Sequence, residues 1–197
     1  MTSVYFVRHA QPDYRAKNTS DRPLTDEGML DRLKIIDIFN DINISAVYSS
    51  PYKRTYDTVA PLAEHLGLDI ITDDRFRERL SGDVPGDFLD FARRQWMNFT
   101  YKTKVGESLG EVQIRNIEAL NEILSAHKDE NVIIGTHGTS LSTILNYYIN
   151  SYAYDDFLRI IDYMPYVLKM NFDGERFISS EEIFRIEKTY VKPSGQK

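Results

Sequence analysis

The chain contains no cysteine. That absence excludes disulfides, thiolate metal ligands and a cysteine nucleophile, and it fits a cytoplasmic enzyme. Long hydrophobic runs are missing as well: none approaches the roughly 18 apolar residues of a membrane helix. The first apolar stretch, Val4–Val7, is cut off at once by Arg8, so a secretory signal is not expected. Nor is there an excess of positive charge. With 24 Lys and Arg against 30 Asp and Glu, the net charge is −6, which argues against general nucleic-acid binding and its basic footprint. An anionic small molecule stays open as a substrate, because a few arginines set the field inside a cleft.

What is present describes an ordinary globular enzyme. Hydrophobic residues make up 42% of the 197 residues and charged residues 27%, enough for one domain with a sizeable core. Residues 1–187 are expected to form that domain and 188–197 a loose tail. The apolar run Val4-Tyr5-Phe6-Val7 leads directly into Arg8-His9-Ala10, and Val132-Ile133-Ile134 leads into Gly135-Thr136-His137-Gly138. Short continuous apolar runs of this kind read as buried parallel strands. Ligands in open α/β sheets sit just beyond the C-terminal ends of such strands, so the two histidines can converge.

Other elements follow from periodicity and caps. Thr25 is expected to cap a helix running to about Asn40, with Asp26 and Glu27 in its first turn. Ala46–Tyr48 and Ile70–Thr72 read as strands, and between them Tyr52, Val59, Ala63 and Leu66 mark an amphipathic helix closed by Gly67. A helix is expected from about Phe88 to Tyr101. Ser108 and Glu111 form a capping-box pattern that opens a long helix, and another helix follows Gly138. Asp173-Gly174 between two apolar runs signals a hairpin. The alternation predicts an α/β fold, a three-layer α/β/α sandwich whose mostly parallel sheet gains a late antiparallel hairpin strand.

Val7-Arg8-His9-Ala10 resembles the Arg-His-Gly signature of the histidine phosphatase superfamily, which includes the phosphoglycerate-mutase-like enzymes. Leu24-Thr25-Asp26-Glu27-Gly28, Val47–Thr55, Arg77-Glu78-Arg79 with Gly82, Gly106-Glu107-Ser108 and Thr136-His137-Gly138 are similar to further family segments in the family's order. The resemblance implies the same α/β/α fold and a phosphatase that needs neither metal nor cofactor. It implies that His9 is the nucleophile, that Arg8, Arg54 and His137 bind phosphate, and that Glu78 donates and accepts the proton. It extends the binding set to Gly138, Thr139, Arg15 and Ser81, and makes residues 79–106 a substrate-side insertion.

The chemistry supports those residue types. Phosphoryl transfer asks the protein to offset charge and position a nucleophile. Arginine binds two oxygens at once, and a neutral imidazole can form a covalent phosphohistidine. A carboxyl acting as leaving-group acid must enter the reaction protonated. Three departures from the family pattern stand out. Ala10 replaces a glycine, a mild change where φ is negative. Arg15 stands where many members carry a pocket asparagine, and either it or another loop residue fills that role. Ser81 stands where the mutases carry a tyrosine. The shorter segment after Glu78 and the loss of that tyrosine favour hydrolysis over mutase action. A phosphoglycerate mutase and a non-catalytic phospholigand-binding module remain as alternatives.

A small phosphorylated substrate is the expected partner, with no nucleic acid and no membrane, for a monomer or homodimer. His65 and His127 are expected to be exposed and inert. Arg93, Arg94, Lys102 and Lys104 beside Trp96, Phe99 and Tyr101 read as a helix with aromatics packed inward and charges solvated. The tyrosines between 147 and 166 are expected to serve packing.

Overall fold

The computed structural model describes residues 1–84 and 86–188. Six strands form one sheet in the order β3-β2-β4-β1-β5-β6. They are β1 (Thr2–Arg8), β2 (Ala46–Ser49), β3 (Ile70–Thr72), β4 (Asn131–Thr136), β5 (Tyr163–Asp173) and β6 (Arg176–Glu187). The first four run parallel to one another, β5 pairs antiparallel with β1, and β6 pairs antiparallel with β5. This is the expected mixed sheet, with the late hairpin longer than the sequence suggested.

Strand alternation sends β1 side chains to both faces. Val4 and Phe6 join one core with Leu120 and Leu124 of α4 (Leu109–Ala126) and Leu141 and Ile144 of α5 (Gly138–Tyr148). Tyr5 and Val7 join the other, with Ile35, Phe39 and the α2 (Lys53–Leu66) residues Val59 and Leu62. Two cores back to back on one sheet make the three-layer sandwich. Both caps predicted at helix starts are made: Thr25 accepts from the Gly28 N–H, and Ser108 and Glu111 form a reciprocal capping box. Gly67 closes α2 in the left-handed conformation, at φ 67°.

Several elements differ from expectation. The helix after Thr25 is α-helical only over α1 (Asp26–Asp31) and continues as a 3-10 helix over Arg32–Phe39. Isoleucines at 35, 36 and 38 give the α form little intrinsic support there. Helix α3 (Phe88–Met97) stops four residues before Tyr101. Asn98 ends it, its side-chain oxygen accepting from Thr100 N–H while its carbonyl accepts from Tyr101 N–H. The short helix α6 (Tyr154–Ile160) was not foreseen. At the first residue of the expected tail, Lys188 donates from its backbone to the Asp162 carbonyl at 2.7 Å, and its ammonium lies 2.7 Å from the buried Asp31 carboxylate. The remainder of that tail, 189–197, lies outside the described residues. Trp96 packs against Phe99, Tyr152 and Phe157 while Arg93 and Arg94 face solvent, as expected for an amphipathic helix. Among the described residues no helix is long and apolar enough to cross a membrane.

Candidate active site

His9 follows the last residue of β1, its N–H bonded to the Thr136 carbonyl of β4 at 3.2 Å. Its Nδ1 lies 2.8 Å from the Ala10 carbonyl. A carbonyl only accepts, so Nδ1 carries the hydrogen and Nε2 keeps its lone pair. The Ala10 peptide is fixed from the other side as well. Its N–H donates to Thr58 Oγ1 at 3.0 Å, and that hydroxyl donates to the Arg54 carbonyl at 2.7 Å. Alanine is tolerated at position 10 because the backbone there is not left-handed; Asp129 is the one positive-φ residue besides glycines among the described residues. Burial, then Arg54 and Arg8, push the His9 pKa well below the usual histidine value. The imidazole is therefore neutral with a free nitrogen.

His137, placed by the end of β4, meets His9 edge to face with ring centroids 5.2 Å apart. Its Nε2 lies 2.8 Å from Ser50 Oγ and 3.1 Å from Thr55 Oγ1. Burial, then Arg54, holds its pKa well below the ordinary value too.

Arg8 and Arg54 are 5% and 3% exposed, and among the described residues neither has a carboxylate in hydrogen-bond contact. Arg8 is anchored by carbonyls: Nη1 donates to Ile160 and Tyr163, Nη2 to Ile161 at 3.0 Å, and buried Nε has no hydrogen-bond partner among the described residues. Arg54, in the first turn of α2, donates to the Thr19 carbonyl at 2.6 Å and lies 5.1 Å from the Tyr52 ring. Burial lowers its pKa to about 10, against an opposing pull from Glu78, so it stays charged at neutral pH. Glu78 closes the cluster from the segment after β3. Its Oε1 accepts from the Arg79 N–H at 2.7 Å and its Oε2 from Thr139 N–H in the first turn of α5 at 3.2 Å. Gly138 is needed for proximity: a Cβ there would lie 3.2 Å from three atoms of the Arg8 guanidinium.

A neutral histidine with an unprotonated Nε2, a second histidine facing it, two buried arginines and a nearby carboxylate thus meet at the ends of β1 and β4. The sequence profile of the histidine phosphatase superfamily (branch 1) matches residues 4–179. The chain belongs to that superfamily. It is 29% identical over 167 residues to a probable phosphoglycerate mutase, GpmB, of Cronobacter sakazakii, covering 78% of each chain. It is 28% identical over 158 residues to a putative phosphoserine phosphatase 2 of Hydrogenobacter thermophilus, covering 74% of this chain and 77% of that one. The solved structure of Bacillus stearothermophilus YhfR superposes with a TM-score of 0.74 at 26% identity, over 90% of this chain and 95% of that one.

Within this superfamily frame, the structure gathers Arg8, His9, Arg54, Glu78, His137, Gly138 and Thr139. It does not gather Arg15. The Arg15 side chain is 91% exposed and paired with Asp13 at 2.7 Å. A carboxylate two residues away offers a cheaper partner than a buried pocket. The Ser81 carbonyl accepts from Thr103 Oγ1 at 2.8 Å. Arg22, which the sequence did not single out, is the loop arginine whose charge acts on both His9 and Arg54. It donates to the Ala16 carbonyl at 3.3 Å and lies 5.3 Å from the Tyr14 ring. Ser50 and Thr55 were also missed, although both sit in the Val47–Thr55 stretch, and so was Thr58, which lies just beyond it. His127 is a further correction: its side chain is 17% exposed and bridges Tyr48 and Glu130. His65 is exposed as expected, 3.1 Å from the Asn40 side chain.

Proposed function

We propose that the protein hydrolyses phosphomonoesters through a phosphohistidine on His9, without a metal. The observation that carries this reading is the His9 imidazole, locked with Nδ1 on the Ala10 carbonyl and kept neutral so that Nε2 is available. In the first step Nε2 attacks phosphorus, the P–O bond to the leaving alcohol breaks, and Glu78 supplies the proton that alcohol takes up. In the second, Glu78 takes a proton from water, whose oxygen attacks phosphorus as the N–P bond breaks. Arg8, Arg54 and His137 offset the charge on the non-bridging oxygens. The unpartnered Arg8 Nε is the atom a phosphate oxygen satisfies. Arg22 takes the pocket role that Arg15 leaves open.

The relatives at 28–29% identity carry both phosphatase and mutase names, so phosphoglycerate mutase is the second reading. Ser81 in place of the mutases' tyrosine favours hydrolysis. The test is hydrolysis of an aryl phosphate by wild type and His9→Ala, with and without EDTA. Turnover that persists in EDTA, vanishes in His9→Ala and leaves an acid-labile phosphoenzyme on rapid quenching supports the reading. Chelator-sensitive turnover, or phosphate moved within a phosphoglycerate rather than released, refutes it.

A further inference from the structure

The segment that carries Glu78 is gripped from behind by residues with no part in the chemistry above. Glu107 stands at the turn before α4, and its Oε2 accepts from the Leu80 N–H at 2.9 Å. The Glu107 N–H in turn donates to the Leu80 carbonyl at 2.6 Å. Arg115, one turn and a half into α4, binds the Glu107 carboxylate with two nitrogens, Nε at 3.0 Å and Nη2 at 3.1 Å. Its Nη1 reaches the carbonyls of Arg75 at 2.5 Å and Arg77 at 2.9 Å. Arg77 adds its own guanidinium to Glu107 at 2.6 Å, and Ser140 of α5 donates to the Arg77 carbonyl at 2.7 Å. The backbone is thus pinned at residues 75 and 77 before Glu78 and at residue 80 after it. The two central side chains are 12% and 15% exposed, so the pair is shielded well enough to hold its geometry.

A proton donor loses much of its effect when displaced by a fraction of an ångström. Among the described residues the Glu78 carboxyl has two bonds, one of them to the next residue, so its direction depends on the backbone beneath it. We infer that Glu107 and Arg115 are positioning residues: a bidentate clamp that holds the Glu78 segment at the working angle to His9. The inference rests on the reading of Glu78 as proton donor. An ion pair that merely stabilised the fold would affect all substrates alike. A clamp on the proton donor affects most those substrates whose leaving group needs the proton.

The test is kcat/KM on a series of aryl phosphates with leaving alcohols of graded acidity. It is run for wild type, Glu78→Gln, Arg115→Ala, Arg115→Lys and Glu107→Gln, with the melting temperature of each. Glu78→Gln should steepen the dependence on leaving-group acidity. Arg115→Ala and Glu107→Gln should steepen it too, losing about ten- to a hundredfold on the most basic alcohol and under threefold on the most acidic. Arg115→Lys keeps the charge without the two-pronged grip and should fall between. If Arg115→Ala does not fold, the lysine and Glu107→Gln variants decide the question alone. A uniform loss across the series, or none, while Glu78→Gln is steep, overturns the clamp and leaves Glu78 in its role. A wild-type slope in Glu78→Gln overturns the proton-donor role and the clamp with it.

Discussion

Gly138→Ala separates the pocket from the fold. The added methyl would lie 3.2 Å from Cζ, Nε and Nη2 of Arg8, inside ordinary carbon contact distance. The guanidinium must then move by a few tenths of an ångström. It is not free to do so, because the carbonyls of Ile160, Ile161 and Tyr163 hold both of its Nη atoms. Any movement is taken up at the Nε edge, where the proposed function seats the phosphate. A hydrogen bond to a charged group contributes roughly 1.5–3 kcal/mol. Weakening one without abolishing it costs about 1–2 kcal/mol of transition-state binding, or about five- to thirtyfold in kcat/KM. Folding should respond differently. Residue 138 opens α5 without a positive φ, and alanine is favoured over glycine in a helix by up to about 1 kcal/mol. The melting temperature should move by less than about 3 °C. The assay is kcat/KM on an aryl phosphate beside a thermal melt. Activity within twofold of wild type would refute the packing argument, and so would a loss of activity matched by a collapse in melting temperature.

Arg22→Ala should raise KM about tenfold with kcat nearly unchanged, as expected on losing one half-exposed charge-assisted contact; Arg15→Ala should change neither, and the reverse pattern would return the pocket role to Arg15. Leu120→Ala, fully buried between α4 and the sheet, should cost about 2–5 kcal/mol in urea unfolding, and a cost below 1 would show that the core closes around the gap. Acid should destabilise the fold through the two site histidines. Both have folded pKa values well below the ordinary 6.5, so below that pH the unfolded chain binds protons that the folded chain refuses. Stability should fall by up to about 1.4 kcal/mol per pH unit for each histidine as pH drops under 6.5, and His137→Asn should reduce the slope measured by urea titration between pH 6.5 and 5. An unchanged slope would mean that His137 protonates freely in the folded protein.

How much of this was legible depended on how local each determinant is. His9 and His137 were readable because an apolar strand fixes where the next residue emerges, and β1 and β4 are neighbours with their ends in register. The caps of α1 and α4 and the Gly67 closure are written within four residues and came out as read. The loop between Gln11 and Pro23 was not readable. Its path depends on a bridge between Pro12 and Leu24 and on the Asp13–Arg15 pair, which together turn Arg15 outward and leave Arg22 beside Arg54. The role of His127 was hidden for the same reason, since its partner Tyr48 lies 79 residues away. Arg115 offered no signal at all: one arginine on a long helix reads as a solvated charge until the Glu78 segment is laid across it.

The arginines divide by what they bond, and the division explains the site. Arg15, Arg75, Arg77 and Arg115 each hold a carboxylate. Among the described residues Arg8 and Arg54 bond only carbonyl oxygens, as do the less buried Arg22 and Arg32; Glu78 acts on Arg8 and Arg54 across a gap, and Asp162 on Arg8. Arg79 also lacks a carboxylate bond, but its guanidinium is enclosed by Gln95 and the rings of Phe88 and Phe91. Burying a cation without a bonded carboxylate is costly, and here that cost falls on the two residues that flank His9. Their charge, met by no bonded carboxylate among the described residues, adds to burial in keeping both histidines neutral, and it is what a phosphate dianion would relieve on binding. A carboxylate placed against Arg8 or Arg54 would make a more stable protein and leave the phosphate nothing to bind.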